Sequence, residues 1–189
     1  SGNQAVDDGG GLYIDNGVQT ATISNSTISG NRATRVGGMK CLSNISLSNS
    51  TIAFNTSDQA QTSQQLRAAG LDILGSTLTL NSTIIANNRA AGEASDLSNR
   101  DSNGAMRTSA FAGSKNLIYA RDKLGLQTPM DTASVCPRLQ RLAPRGGPTQ
   151  TVALRSGSFA IDFGIVLNAL TTDQRGFPRV VNNVADIGA

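Results

Sequence analysis

Asn25-Ser26-Thr27-Ile28-x-x-Asn31 recurs as Asn49-Ser50-Thr51-Ile52-x-x-Asn55 and again as Asn81-Ser82-Thr83-Ile84-x-x-Asn87. The copies are spaced by 24 and 32 residues, and a partial copy, Ser1-Gly2-Asn3-x-Ala5, opens the chain. A second motif precedes each full copy: Gly11-Leu12-x-Ile14, Gly38-Met39-x-Cys41 and Gly70-Leu71-x-Ile73. Apolar residues also alternate just upstream of each Asn-Ser-Thr-Ile, at Ala21 and Ile23, Ile45 and Leu47, and Leu78 and Leu80. Alternation at a period of two places both apolar residues on one face of a strand. A repeat of this length is too short for a strand, a helix and a crossover. It fits a solenoid whose short strands pair in parallel with their counterparts one coil along.

Stacked coils lie about 4.8 Å apart, so equivalent residues form ladders. The spacing predicts inward ladders Ile28–Ile52–Ile84 and Leu12–Met39–Leu71, and an amide ladder Asn31–Asn55–Asn87 at a turn. Amides stacked in this way satisfy one another and the backbone where the turn would otherwise bury unpaired groups. The third copy is one residue shorter between Leu80 and Ser82 than the second is between Leu47 and Ser50. Asn-Ser-Thr is also a glycan acceptor pattern, but the repeat by itself accounts for Asn25, Asn49 and Asn81. Residues 56–69, rich in Gln, Ser and Ala, read as a loop between coils.

The composition agrees with many short strands and turns. Hydrophobic residues make up 38% and aromatics only 4%, so the core rests on Ile, Leu, Val and Ala. Net charge is +3, and the densest basic stretch, Arg138, Arg141 and Arg145, has no interleaved aromatics. A nucleic-acid surface would offer a basic stripe or stacking platforms, so no nucleic-acid partner is expected. No run is apolar and long enough to span a membrane. The chain opens in mid-repeat, so the expectation is a piece of a longer chain.

The two cysteines, Cys41 and Cys136, lack metal-site or redox spacing. Cys41 occupies a core position of the repeat, which favours a buried thiol, while a disulfide to Cys136 stays open.

After Asn88 the repeat weakens, with Asp96-Leu97 and Asn116-Leu117-Ile118 as degenerate strand positions of one more coil. Beyond Pro129 the prolines at 137, 144, 148 and 178 interrupt any regular coil. Strand-like runs remain at Thr151–Leu154, Phe159–Ile161 and Arg179–Val181. The expected fold is all-β: a right-handed parallel β-helix (solenoid) of about four coils over 1–128. An irregular C-terminal capping segment, 129–189, is expected to pack on the helix end, since an open end exposes unpaired backbone.

That closing segment resembles a known family. Leu139-x-x-Leu142-Ala143-x-x-Gly146-Gly147-Pro148-Thr149-Gln150-Thr151-x-x-Leu154-x-x-Gly157-Ser158-x-Ala160-Ile161-Asp162-x-Gly164 is followed by Thr172-Asp173-Gln174-Arg175-Gly176-x-Pro178-Arg179 and Asp186-Ile187-Gly188-Ala189. Together they are similar to the choice-of-anchor Q domain, found near the C-terminus of bacterial surface proteins built on right-handed parallel β-helix repeats. The match covers about a third of the chain. More weakly, the Gly-Gly-Leu and Ile-x-x-Asn rungs are similar to repeats of polymorphic outer-membrane proteins. The resemblance implies a secreted, surface-anchored location and no known reaction.

Parallel β-helices also house polysaccharide lyases and hydrolases, an analogy of fold alone. Such an enzyme needs converging carboxylates, or a base with cations to hold an acidic sugar. The position between the paired apolar residues holds Tyr13, Lys40 and Asp72, read as an outward ladder with Lys40 and Asp72 as a solvated ion pair. A second group, Asp162, Asp173 and Asp186 with Arg175 and Arg179, reads as a hydrogen-bonded network fixing loops. Clustered aspartates are usual calcium ligands, but no calcium-loop spacing supports calcium there. The chain has no histidine and no tryptophan. No catalytic, cofactor-binding or metal-ligating residue and no cofactor is assigned. The leading expectation is a non-catalytic extracellular surface module, structural or adhesive, with extracellular polysaccharide or copies of itself as partners. The alternative is a fragment of a carbohydrate-active enzyme.

Overall fold

The computed structural model describes residues 1–59, 68–75, 77–99, 105, 110–120, 128–167, 170–181 and 183–189. No helix occurs among them, and the chain is all-β. Each circuit of the chain visits four sheets in turn, in an arrangement compatible with a parallel β-helix.

The first sheet holds β2 (Leu12–Ile14), β6 (Met39–Cys41), β10 (Leu71–Ile73) and β15 (Leu97–Ser98). The second holds β3 (Thr20–Ser24), β7 (Asn44–Ser48), β11 (Thr77–Asn81) and β16 (Ala110–Ser114). The third holds β4 (Thr27–Ser29), β8 (Thr51–Ala53), β12 (Ile84–Ala86) and β17 (Leu117–Ile118). All pairings in these sheets are parallel, each strand beside its counterpart one circuit along. A fourth, of two-residue strands, stacks β1 (Gln4–Ala5), β5 (Arg32–Ala33), β9 (Thr56–Ser57) and β13 (Arg89–Ala90) in parallel. β14 (Glu93–Ala94) then turns back antiparallel on β13. These two-residue strands are too short to carry an apolar alternation, and the sequence pattern did not reveal them.

Met39, Cys41, Ile45, Leu47, Ile52, Leu71, Ile73, Leu78, Leu80, Ile85, Leu97 and Ile118 fill the interior. The predicted ladder Leu12–Met39–Leu71 is in register. The predicted Ile28–Ile52–Ile84 ladder is not, because Ile28 pairs with Ile52 and Ile52 with Ile85. Ile84 stands beside Thr51, on the opposite face. The cause lies upstream. Leu71 still pairs with Met39, but Leu78 pairs with Ile45, so the third circuit has gained a residue between Ile73 and Thr77. A shift of one residue moves a side chain to the other face of the sheet. Asn81 thus takes the place of Ser48, and Ser82 that of Asn49. Asn25, Asn49 and Ser82 all have left-handed backbone, φ 51°, 47° and 49°.

The third sheet is covered on both faces. Outside it, Ala53, Ile84, Ala86 and Leu117 form a second apolar layer with Leu139, Val152, Ala160 and Ile187 of the closing segment. That segment meets the last rung at Ala133, which bridges Leu117 in parallel. From there its contacts run back across the earlier circuits, to Ser82, Asn49 and Asn25. Most of 129–189 therefore lies along the flank of the stack rather than on its end. The apolar outer face of the third sheet draws it there. Within the segment, Leu139 bridges Leu154 and Ala143 bridges Thr151, both antiparallel. β18 (Val180–Val181) and β19 (Val184–Ala185) form a hairpin, while the expected strand at Phe159–Ile161 is a turn.

Candidate functional site

Among the described residues, three polar groupings and a groove across the turns bring together side chains that could carry chemistry. The first is the amide ladder. The backbone N–H and Nδ2 of Asn3 donate to Asn31 Oδ1 at 3.0 and 3.2 Å. Asn31 donates likewise to Asn55 Oδ1 at 3.0 and 2.9 Å, and Asn55 to Asn88 Oδ1 at 3.0 and 2.9 Å. The third member is thus Asn88, not Asn87. Asn87 occupies the left-handed corner just before it, φ 61°, in column with Gly2, Gly30 and Phe54. Asparagine tolerates that conformation better than most residues, because its short polar side chain bonds locally.

Asp96 ends the ladder. Its Oδ1 accepts the backbone N–H and Nδ2 of Asn88 at 2.9 and 2.8 Å, and its Oδ2 accepts the Ala120 N–H at 2.8 Å. Burial pushes the Asp96 carboxyl up to about 6, against these N–H donors, which favour the ionised form. Asp96 was legible only as part of a degenerate strand. No asparagine spacing points to it: Leu97 pairs with Leu71, so Asp96 stands in the column of Gly70, eight residues after Asn88 rather than a full circuit on.

The second grouping is Tyr13–Lys40–Asp72, continued by Ser98, in register across the first sheet. Lys40 Nζ donates to Asp72 Oδ2. The pair is not solvated, as the sequence suggested: Lys40 is 3% exposed and Asp72 0%. Two ions taken out of water lose hydration that their attraction barely repays, yet removing either would strand the other. The arrangement is that of a structural pair.

The third grouping lies in the closing segment. Asp173 Oδ1 accepts the backbone N–H groups of Arg175 and Phe177 at 2.8 and 3.1 Å, and its Oδ2 accepts Arg175 Nε and Nη2 at 2.8 and 2.5 Å. Asp186 Oδ1 accepts the Asp162 N–H at 2.9 Å. The Arg179 side chain is buried and donates to Asn25 Oδ1 at 3.0 Å and to the Gly188 carbonyl. Burial pushes its guanidinium below its ordinary value, and the charges of Asp173 and Asp186 oppose that shift. These residues tie loops together and dock them on the coils. Among the described residues, no group of three His, Cys, Asp or Glu side chains converges as a metal site would require.

Two of the three Asn-Ser-Thr asparagines, Asn25 and Asn49, dock residues of the closing segment, and the third, Asn81, bonds within its own sheet. Asn25 Nδ2 donates to the Thr172 carbonyl at 3.0 Å, and the fully buried Asn49 donates from Nδ2 to the Ile165 carbonyl at 2.8 Å. Asn81 Oδ1 accepts the Ser114 N–H at 3.1 Å. Cys41 is a buried thiol donating to the Ser43 carbonyl at 3.1 Å, and Cys136 is a separate, exposed thiol.

A groove of about 560 Å³ crosses the successive turns between the first and second sheets. Asn16, Gln19, Thr20, Ser43, Asn44 and Gly75 line it. Its walls carry amides and hydroxyls from two circuits, together with the apolar Val18, Leu42 and Leu74. No family model matches this chain, and no curated protein or solved structure matches it either.

Proposed function

We propose that this chain is a stretch of right-handed parallel β-helix of about four coils, with residues 129–189 packed along its flank, that serves as a non-catalytic extracellular module, structural or adhesive. One observation carries the reading: among the described residues, the side chains of Lys40, Asp72, Asp173, Asp186 and Arg179 and the ladder amides, which could have formed a reactive site, are engaged in holding the molecule together. The Asn3–Asp96 ladder ties successive coils, Lys40 and Asp72 are buried against each other, and Arg179 and Asp173 fix the closing segment. The secreted, surface-anchored location rests on the resemblance of the closing segment to the choice-of-anchor Q domain. The adhesive variant draws on the groove across the turns, whose hydroxyls and amides at Asn16, Gln19, Thr20, Ser43 and Asn44 suit the hydroxyl groups of a polysaccharide.

The test is incubation of the purified chain with a panel of extracellular polysaccharides, scoring retention and release of new chain ends together. Retention without new ends is the expected result for an adhesive module, and neither signal leaves the structural role. New chain ends would overturn the reading in favour of a carbohydrate-active enzyme.

A further inference from the structure

A second cavity, of about 440 Å³, lies between the corners that follow the third sheet and the closing segment. It shares no lining residue with the groove between the first and second sheets. Its volume is that of a small-molecule site. One part of its wall is cationic. Arg89, from β13, and Arg141, from the closing segment, both line it, and among the described residues no carboxylate does. Arg32, in the same column as Arg89 two circuits earlier, forms an ion pair with Asp58. Arg89 donates instead to the Gly92 carbonyl, which does not neutralise it. The Arg141 guanidinium makes no ion pair or hydrogen bond among the described residues; its carbonyl accepts from Arg145 Nη2 at 3.2 Å. A cleft lined by one sign of charge focuses its field on an opposite ion.

The rest of the wall is apolar with polar edges. Phe54 holds left-handed backbone, φ 60°, in column with Gly30 and Asn87. A β-carbon makes that conformation costly for phenylalanine. Its ring is half-buried, packed like Leu142 against the second apolar layer, and so is held in place where it lines the cavity. Thr56 and Asn87 add a hydroxyl and an amide, and Ser29 stands in the same wall. Ser29 is fully buried where the next circuits have Ala53 and Ala86. Its Oγ has no hydrogen-bond partner among the described residues. Buried hydroxyls are normally paired, so this wall holds a polar group that the protein leaves unserved.

We infer that this cavity binds an acidic sugar of a saccharide chain, with its carboxylate at Arg89 and Arg141 and the C–H face of its ring on Phe54 and Leu142. A guanidinium meets a carboxylate in its own plane through two N–H bonds. Hydroxyls on the sugar rim suit Thr56 and Asn87, which both donate and accept. A neutral sugar leaves the two guanidinium groups unmatched. Inorganic phosphate leaves Phe54 and Leu142 unused, and a nucleic acid needs a longer basic stripe. An acidic peptide brings carboxylates without the dense hydroxyls. The inference goes beyond the adhesive variant, because it places a second site and requires a charged ligand.

Nuclear magnetic resonance titration of the whole chain tests it. The probes are short chains of galacturonate, glucuronate and mannuronate, the methyl-esterified galacturonate chain, a neutral glucose chain and a glutamate peptide. The expected result is saturable shifts at Phe54, Asn87 and the Nε–H groups of Arg89 and Arg141 with at least one uronate chain. Binding should weaken by about tenfold or more in Arg89→Gln, in Arg141→Gln and on esterification, as for a lost hydrogen bond to a charged group. Both arginines are exposed, and unshifted signals elsewhere in each variant show that it keeps the fold. Esterified or neutral chains that bind as tightly as the uronates overturn the inference, and a glutamate peptide that does so makes the cavity a peptide site and overturns it too. Shifts confined to Asn16, Ser43 and Asn44 also overturn it, while leaving the groove of the adhesive variant standing. No shift with any probe sinks both.

Discussion

Asp96 shows how much one oxygen can decide. Asn31, Asn55 and Asn88 each accept two N–H bonds from the member before and donate two to the member after, so the series ends well on a group that accepts without donating. Asp96 accepts from Asn88 on one oxygen and from Ala120 on the other. An asparagine there would point an amide N–H at the Ala120 N–H or at Asn88, leaving buried donors without acceptors. Asp96→Asn is therefore expected to destabilise the fold by about 2 kcal/mol, within the range for a buried group left unpaired. Burial pushes this carboxyl up to about 6 from an ordinary 3.8. The native state then holds a proton that the unfolded chain has released over the interval between those values. The stability this provides is complete below 3.8 and is lost as pH rises through about 6. A carbon-detected titration of the Asp96 side chain should show a midpoint near 6, and a midpoint at the ordinary carboxylate value would refute the assignment. The residue types of the ladder were legible from Asn31 and Asn55. Its terminator was not, because an aspartate in a weakened repeat carries no periodic signal.

The strands themselves were legible from alternation at Leu12 and Ile14 or Ile45 and Leu47, since a buried face imposes a period of two. Their register in the third circuit was not. The motif Asn81-Ser82-Thr83-Ile84 matches its earlier copies letter for letter, yet the structure sets Ile85 beside Ile52 and Asn88 beside Asn55. Letter identity loses to packing: Ile84 and Ile85 are both apolar, so either could face inward, and the added residue before Thr77 decides which does. Ile84 is not wasted on the outer face, where it meets Ile187 and Leu139 in the second apolar layer. The two registers make opposite predictions for neighbouring residues. Asn88→Ala removes acceptor and donors from the middle of the ladder and should cost about 2–3 kcal/mol. Asn87→Gly should be neutral within about 0.5 kcal/mol or mildly stabilising, because φ 61° suits glycine without strain. Urea denaturation of the two variants measures the difference, and a larger loss at position 87 would restore the register read from the motif.

At the scale of the molecule, the question is whether residues 129–189 are a separate lid or part of one cooperative body. The sequence shows that the chain changes character near Pro129, through its prolines and loss of alternation. It does not show where the segment goes, because docking uses main-chain carbonyls at Thr172 and Ile165, which leave no mark on residue type. The docking partners sit at the left-handed corners of successive circuits, Asn25, Asn49 and Ser82, so the segment clasps several coils at once. Beneath it, Ala53, Ile84, Ala86 and Leu117 are buried only because Leu139, Val152, Ala160 and Ile187 cover them. Separate melting of the segment would strand that apolar face in water, at about 25 cal/mol for each Å² uncovered. The coils and the segment should therefore unfold together. Gly164 tests this at a single point: a Cβ there would lie 2.4 Å from the Asp186 carbonyl oxygen and 2.5 Å from Ser82 Oγ, both fixed by the docking. Gly164→Ala must push the segment off the Ser82 corner. If the body is cooperative, thermal unfolding of the variant followed at Phe163 in the segment and by far-ultraviolet circular dichroism of the coils keeps one coincident transition, several degrees lower than the parent's. Loss of the Phe163 signal ahead of an unshifted coil transition would mean that the segment is a lid and that the stack stands without it.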